Sequence, residues 1–163
     1  MKTFVRPAAA GLLASAALAA GPTPAAPLAG AAAPTLRVSA VNTDYERAVL
    51  SRVNRVRARH GLPALRASSC LDVFAERRAR RLAAERILVH FGLGAVFDRC
   101  GGSMMGENLA RGRYLTATRV VEAWLRSPGH RANVLRSGFR SAAVGAWRVS
   151  DGTIYVSMVY RAP

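Results

Sequence analysis

The period of the apolar residues changes along this chain, and that change limits the folds open to it more than any other feature. In the first part of the chain they recur three or four residues apart, as in helices that bury one face. Residues 142–149 and 153–160 instead have strand-like patterns, and Asp151-Gly152 between them is a strong hairpin signal. Helices first and a hairpin last predict an α+β layered domain with a C-terminal β-hairpin, not a βαβ alternation.

Two helices can be placed in the first half of the chain from their caps and stops. Thr43 and Glu46 have the spacing of a capping box, and Gly61 is the expected stop of the helix that follows. A second helix is expected to start at residue 68 or 69. Its apolar stripe, which we expect to be buried, consists of Leu71, Phe74, Ala75, Ala79 and Leu82.

The middle of the chain is less regular. Residues 88–106 are glycine-rich and show no period, so we interpret them as a loop. A third helix is predicted from about Leu115 to Leu125. Ser127 then occupies an N-cap position, with Pro128 opening a short helix that runs through residue 135.

The N-terminal part of the chain differs in character from the rest. Lys2 and Arg6 flank the start of an apolar run of Ala and Leu, and Ala17-Leu18-Ala19 supplies the small residues that a signal peptidase recognises. Residues 1–19 are therefore predicted to be a secretory signal peptide, with an uncleaved membrane anchor as the alternative. Residues 20–42, rich in Ala, Pro and Gly, are predicted to be a linker, which leaves 43–163 as one domain.

The chain contains two cysteines, Cys70 and Cys100. In an exported protein an even number of cysteines is most simply explained by disulfides, so a Cys70–Cys100 bond is favoured. A pair of metal-bound thiolates is the alternative, but the sequence has no close CxxC spacing.

The chain is strongly basic: 24 Lys and Arg stand against 9 Asp and Glu, and the formal net charge is +15. Its 51% of hydrophobic residues exclude a wholly disordered protein. Arginines form a stripe on the first helix and a cluster on the flanks and outer face of the second: Arg52, Arg55 and Arg59, then Arg77, Arg78, Arg80 and Arg81. An anionic envelope polymer is therefore a candidate partner, with a solvated surface as the alternative. Because no aromatic residues interleave with these arginines, a specific nucleic-acid partner is not expected.

The three histidines can each be explained by local structure. His60 lies in the last turn of the first helix, where an imidazole complements the helix C-terminus. His90 lies in the aperiodic stretch between Val89 and Phe91. His130 is at the third position of the short helix, where the helix dipole keeps it neutral, and neutral imidazole is the form that binds metal.

Two glutamates also have local explanations. Glu122 has Arg126 at i+4 as a possible partner on the helix surface. Glu107 lies in what we interpret as a turn, with Arg111 and Arg113 as possible partners. Taken singly, neither residue points to a functional site.

The arrangement of these residues is more informative than any one of them. Residues 106–110 (GENLA) followed by 120–133 (VVEAWLRSPGHRAN) closely resemble the signature of the CAP superfamily of cysteine-rich secretory, antigen 5 and pathogenesis-related proteins. Residues 53–57 (VNRVR), the turn at 61–65 (GLPAL) and the spacing to His90 resemble its bacterial exported branch. The resemblance covers about residues 43–160.

The resemblance implies an α-β-α sandwich around a central cleft. Two His and two Glu line that cleft in the family, and they correspond here to His90, Glu107, Glu122 and His130. In some members the two His bind a divalent metal, often zinc, so His90 and His130 are the predicted metal ligands. The cysteine pair resembles a short disulfide that ties the second helix to the loop after His90.

The function predicted on this basis is a secreted, non-catalytic binding module, freely extracellular or associated with the cell surface. Its cleft would take a divalent metal, a small apolar, lipid-like ligand, or both. A metal-dependent hydrolase acting on envelope or peptide substrates is the alternative, since zinc-bound water can act as a nucleophile. Against catalysis, the sequence has no HExxH motif, and no Ser or Cys nucleophile is evident beside a base.

Overall fold

The computed structural model describes the chain from residue 41 to residue 163, with side chains from residue 43. The predicted signal peptide (1–19) and the predicted linker as far as residue 40 lie outside the described residues. The helices and strands are, in order, α1 (Val41–Arg59), β1 (Arg66–Ala67), α2 (Ser69–Glu85), α3 (Gly94–Cys100), β2 (Met104–Arg113), α4 (Ala117–Arg126), α5 (Pro128–Val134), β3 (Ser141–Arg148) and β4 (Thr153–Ala162).

The four strands form one mixed sheet in the order β1-β3-β4-β2. Strands β3 and β4 are the predicted hairpin, and β2 pairs antiparallel with β4 along its full length, which makes β2 an edge strand. At the hairpin turn Gly152 has a φ of 81°, and the backbone N–H of Thr153 donates to Oδ1 of Asp151 at 2.8 Å. The hairpin prediction is confirmed.

Alternation along the strands divides the core between two faces of the sheet. One face packs on α1, α4 and α5 through residues such as Val53, Trp124 and Met158. The opposite face packs on α2 and α3 through residues such as Leu71 and Val159. Helices cover both faces of the sheet, so the α+β, α-β-α sandwich prediction is confirmed.

Helix α2 lies very close to β3. A Cβ atom on Gly145 would come within 2.3 Å of the backbone of Ala75, so only glycine permits this approach. The same helix begins where its cap predicted, since the N–H of Leu71 donates to Oγ of Ser68 at 3.4 Å. The close packing at Gly145 fixes α2 against the sheet, and α2 is one of the elements beside the candidate site.

The predicted capping box of α1 is wrong. The helix begins at Val41, two residues before Thr43, and Oε1 of Glu46 accepts the N–H of Ala146 at 2.8 Å. Ala146 lies on β3 beyond the two residues that pair with β1, so its N–H needs another acceptor. The predicted stop is confirmed: α1 ends at Arg59, and Gly61 has a φ of 67°.

The loop prediction for residues 88–106 is also wrong in part. Helix α3 occupies 94–100, and strand β2 already starts at Met104. Glu107 therefore lies within a strand and not in a turn. The Cys70–Cys100 disulfide is present, with Cα atoms 5.8 Å apart, and it joins α2 to the end of α3 instead of to a loop.

Candidate functional site

The candidate site lies along edge strand β2, where the two helical layers meet. Strand β2 supplies Glu107, the segment that follows α2 supplies His90, and α5 supplies His130. The ring centres of His90 and His130 are 6.2 Å apart. Three of the four predicted cleft residues are thus brought together.

The carboxylate of Glu107 is the buried centre of this arrangement. Its Oε2 lies 2.8 Å from Nδ1 of His90, and its Oε1 lies 3.2 Å from Nε of Arg78. The hydroxyl of Ser157 donates to the same Oε1 at 3.3 Å. The Glu107 side chain is only 3% exposed, and this guanidinium and these hydrogen bonds offset the cost of burying a polar group there.

Arg78, which was predicted to lie with its neighbouring arginines on the flanks and outer face of α2, is instead a largely buried site residue. Its side chain is 9% exposed and lies over the ring of Phe91, with its guanidinium carbon 5.1 Å from the ring centre. A signal was present, because residue 78 is seven positions after Leu71 and four before Leu82, which places it on the buried stripe. Its Nη1 is buried and has no hydrogen-bond partner among residues 43–163.

His130 is held in the neutral form, as predicted, though mainly for a different reason. Partial burial, and then the nearby charge of His90, lower the pKa of His130 below its ordinary value of 6.5. The helix dipole invoked from sequence is not needed to explain this direction. A neutral imidazole offers a lone pair to a metal ion.

Buried amides fasten α5 to β2 behind the site. Nδ2 of Asn108 donates to the backbone carbonyl of His130 at 3.0 Å and to the Tyr160 hydroxyl at 3.1 Å. Nδ2 of Asn133 donates to Oδ1 of Asn108 at 3.0 Å and to the carbonyl of Glu107 at 3.2 Å. These three side chains, which the sequence analysis did not single out, fix His130 relative to Glu107.

Glu122, the fourth predicted cleft residue, is not joined to the other three. It is exposed on α4, and no hydrogen bond or ion pair connects it to His90, Glu107 or His130. The possible surface pair with Arg126 is not among the ion pairs of residues 43–163. Its role in the cleft stays a prediction.

The candidate ligands for a divalent metal are the two histidines, and not a larger set of side chains. Across the described residues, no three His, Cys, Asp or Glu side chains are grouped so that they could hold one ion together. Two imidazoles that bind one zinc ion at about 2 Å have ring centres about 5 Å apart, close to the observed 6.2 Å. When Nδ1–H of His90 donates to the Glu107 carboxylate, the other ring nitrogen, Nε2, has a lone pair that can bind a metal.

Separate surface cavities lie away from the two histidines. A groove of about 460 Å³ between α1 and α2 has a floor that includes Ala142, Ala143 and Val144, with Glu46 and Asp72 at its sides. Burial, and then a hydrogen bond with Glu76, raise the pKa of Glu46 to about 9. This groove contains none of the predicted cleft residues.

The arginine cluster on α2 is less free than predicted. Arg81 pairs with Glu85 at 2.8 Å, and the guanidinium groups of the cluster lie over aromatic rings. These stacked pairs are Arg77 on Phe74, Arg78 and Arg81 on Phe91, and Arg80 on Trp147. The fold therefore brings aromatic rings to these arginines, although none interleaves with them in the sequence.

The sequence profile of the CAP family (Cysteine-rich secretory protein family) matches residues 50–160. The chain belongs to the CAP family. It is 30% identical over 118 residues to the uncharacterized protein YkwD of Bacillus subtilis, a match that spans 68% of this chain and 45% of that protein. This CAP chain therefore corresponds to less than half of its curated relative.

Solved structures of bacterial proteins share the CAP fold of this chain. An outer surface protein from Borrelia burgdorferi superposes with a TM-score of 0.66 at 20% identity, over 80% of this chain and all of that one. An extracellular protein with an SCP domain from Bacillus anthracis gives 0.67 at 21% identity, over 79% of this chain and 45% of that one. Both are described as outer-surface or extracellular proteins. Between residues 41 and 163, no helix combines the length and apolar character needed to cross a membrane.

Proposed function

We propose that this CAP domain is an exported binding module whose His90 and His130 hold a divalent metal, zinc in the first instance. The observation that carries the proposal is the contact of Glu107 with Nδ1 of His90, at 2.8 Å. A carboxylate at one ring nitrogen fixes the tautomer and raises the basicity of the other, which is the usual outer-shell partner of a metal-bound histidine. Because the protein supplies two imidazoles, water or a ligand atom fills the remaining positions.

An apolar ligand beside the metal is the second part of the proposal. Leu88 and Val89, which directly precede His90, are 42% and 44% exposed. Exposed aliphatic side chains next to polar, metal-binding groups suit a ligand with an acyl or sterol-like body and a polar head. Export through the predicted signal peptide would bring the domain to such ligands at the cell surface.

One protein of this fold, NaASP2, has a crystal structure with Zn²⁺; it shares a TM-score of 0.57 and 12% identity with this chain. That likeness concerns the fold alone, so the zinc proposal rests on the histidine geometry.

Hydrolysis is the second candidate function, because a carboxylate-oriented histidine can also act as a general base. Here Ser157 donates to Glu107 and not to His90, and both cysteines are bonded to each other. A binding role is therefore favoured. Peptide and ester turnover that disappears with both chelator and Glu107→Gln would support the hydrolase instead.

The test of the metal proposal is calorimetric titration of the metal-stripped protein with zinc. We expect one ion per chain, with binding lost in His90→Ala and in His130→Ala. His60→Ala is the matched control, because His60 lies at the end of α1 with its Nδ1 2.9 Å from the carbonyl of Val56. Absence of binding, or equal loss in all three variants, would contradict the proposal.

A further inference from the structure

A second candidate binding site lies away from the histidines, at the far end of β2. The end of α2, the end of β2 and the β3–β4 turn border an open surface cavity of about 350 Å³. Its charged and polar lining consists of Arg86, Arg111, Arg113, Asp151, Thr153 and Tyr155.

Three guanidinium groups face one carboxylate in this cavity. Nη1 of Arg86 donates to Oδ2 of Asp151 at 3.2 Å. Arg111 and Arg113 donate instead to backbone carbonyls, those of Arg86 at 3.1 Å and Asp151 at 3.2 Å. Within the described part of the chain neither of these two arginines has a carboxylate partner, so the cavity carries a net charge of about +2.

The backbone directs these arginines to one place. Arg111 and Arg113 are two residues apart on β2, so they lie on the same face of the sheet, and they pair with Tyr155 and Thr153 of β4. The carbonyl contacts use one donor from each guanidinium and hold it in position. Each group keeps its other donors for a ligand, since a guanidinium has five N–H bonds.

Two residues with left-handed backbone conformation also border the cavity. Arg86 has a φ of 54° and Tyr114, next to Arg113, has a φ of 48°, a region that residues other than glycine rarely adopt. Tyr114 is 65% exposed, and the guanidinium of Arg113 lies 5.5 Å from its ring centre. The left-handed conformation of Arg86 ends α2, and its backbone N–H donates to carbonyls of the last helical turn, so the side chain starts from a fixed position beside the cavity.

We propose that the Arg86–Arg111–Arg113 cavity binds a phosphate group of an anionic ligand. Guanidinium forks match the oxygen geometry of phosphate and make paired, charge-assisted hydrogen bonds to it. The site differs from the arginine stripe and cluster expected from sequence. Four arginines of that cluster are stacked on aromatic rings, and two of these also pair with glutamates.

The test measures binding of the full chain to inorganic polyphosphate, inorganic phosphate and phosphatidylglycerol vesicles over a range of salt concentrations. The double variant Arg111→Gln/Arg113→Gln is expected to bind polyphosphate at least tenfold more weakly than the wild type. Its slope of log affinity against log salt should fall by about 1.4–1.8, the value for two lost phosphate contacts. The matched control, Arg52→Gln/Arg55→Gln on α1, removes the same charge and should change affinity less than threefold.

A second variant separates recognition from charge. Arg111→Lys/Arg113→Lys keeps both charges but loses the planar forks, and it should bind several-fold more weakly than the wild type. A selective loss with vesicles as well as polyphosphate would identify a lipid phosphate as one source of the group. Equal losses in the α1 and cavity variants, or no binding of any probe at low salt, would overturn the proposal.

Discussion

Nδ1 of His90 lies 2.8 Å from Oε2 of Glu107, although 17 residues separate them in the chain. The contact joins a solvent-exposed ring, 57% exposed, to a carboxylate that is 3% exposed. Glu107 therefore acts as a fixed support that orients an exposed imidazole. The metal proposal rests on this relationship and not on the number of acidic groups.

Loss of Arg78 should destabilise the protein strongly. Arg78→Met removes the cation 3.2 Å from the buried carboxylate of Glu107, and an unpaired buried charge costs about 3 kcal/mol. Urea unfolding measures the difference. Arg77→Met, an exposed neighbour on the same helix, should cost about 1 kcal/mol or less.

The same experiment has an internal check. Adding Glu107→Gln to Arg78→Met removes the unpaired charge, so the double variant should be more stable than Arg78→Met alone. A double variant less stable than both single variants would show that the ion pair is not what Arg78 contributes.

The Cys70–Cys100 disulfide should contribute substantially to stability. It closes a loop of 30 residues, and the chain-entropy model assigns about 3–4 kcal/mol to a loop of this length. Cys70→Ser/Cys100→Ser should lose this amount in urea unfolding, and reducing agent should affect the wild type alone. Equal stability of the two proteins under oxidising conditions would contradict the prediction.

Glu46 should make the protein less stable as pH rises. Its pKa in the folded protein is about 9 against an ordinary 4.5, so the folded state retains a proton that the unfolded state releases between these values. Its contribution to stability is complete below about pH 4.5 and is lost progressively up to about pH 9. Glu46→Gln should therefore gain about 1 kcal/mol over the wild type at pH 8, a modest value because the side chain is partly exposed.

Unfolding at pH 5 and pH 8 tests this, since the gain should be much smaller at pH 5. Glu85→Gln is the control, because Glu85 forms a surface ion pair with Arg81 and should change stability by less than about 1 kcal/mol at either pH. A pH-independent effect of Glu46→Gln would refute the assignment.

Gly145 should tolerate no side chain. An added Cβ would lie 2.3 Å from the backbone of Ala75, so Gly145→Ala must push α2 away from β3 and should cost about 3 kcal/mol or prevent folding. Gly129→Ala is the matched control, because nothing lies within 4 Å of the added atom there. An equal shift in unfolding temperature for both variants would show that α2 can move away from β3 without loss of stability.

Local signals predicted the elements that depend on neighbouring residues. Ser68 caps α2, and Asp151-Gly152 turns the hairpin, because each uses hydrogen bonds to residues within a few positions. The pattern of helices followed by a hairpin was sufficient for the fold class. The family resemblance supplied the cleft residues, of which His90, Glu107 and His130 meet.

Elements that depend on distant partners were missed. Strand β2 contains Gly, Glu and Asn, which are poor strand formers, and it is a strand because it pairs with β4 at ten successive positions. Glu46 was expected to cap α1, but its carboxylate instead accepts the backbone N–H of Ala146, which lies 100 residues away in the sequence. Arg78 was expected on the flanks and outer face of α2 with the other arginines, although its spacing from Leu71 and Leu82 places it on the buried stripe.

In the proposed metal site, Glu107 holds His90 with its Nδ1 protonated, so that Nε2 is free to bind a metal together with His130. Long-range ¹H–¹⁵N spectra of the histidine rings, recorded before and after addition of zinc, test this arrangement. We expect an Nδ1–H tautomer for His90 that depends on Glu107, and zinc-induced shifts of the ring nitrogens in His90 and His130 but not in His60. An Nε2–H tautomer for His90, or spectra that zinc leaves unchanged, would contradict it.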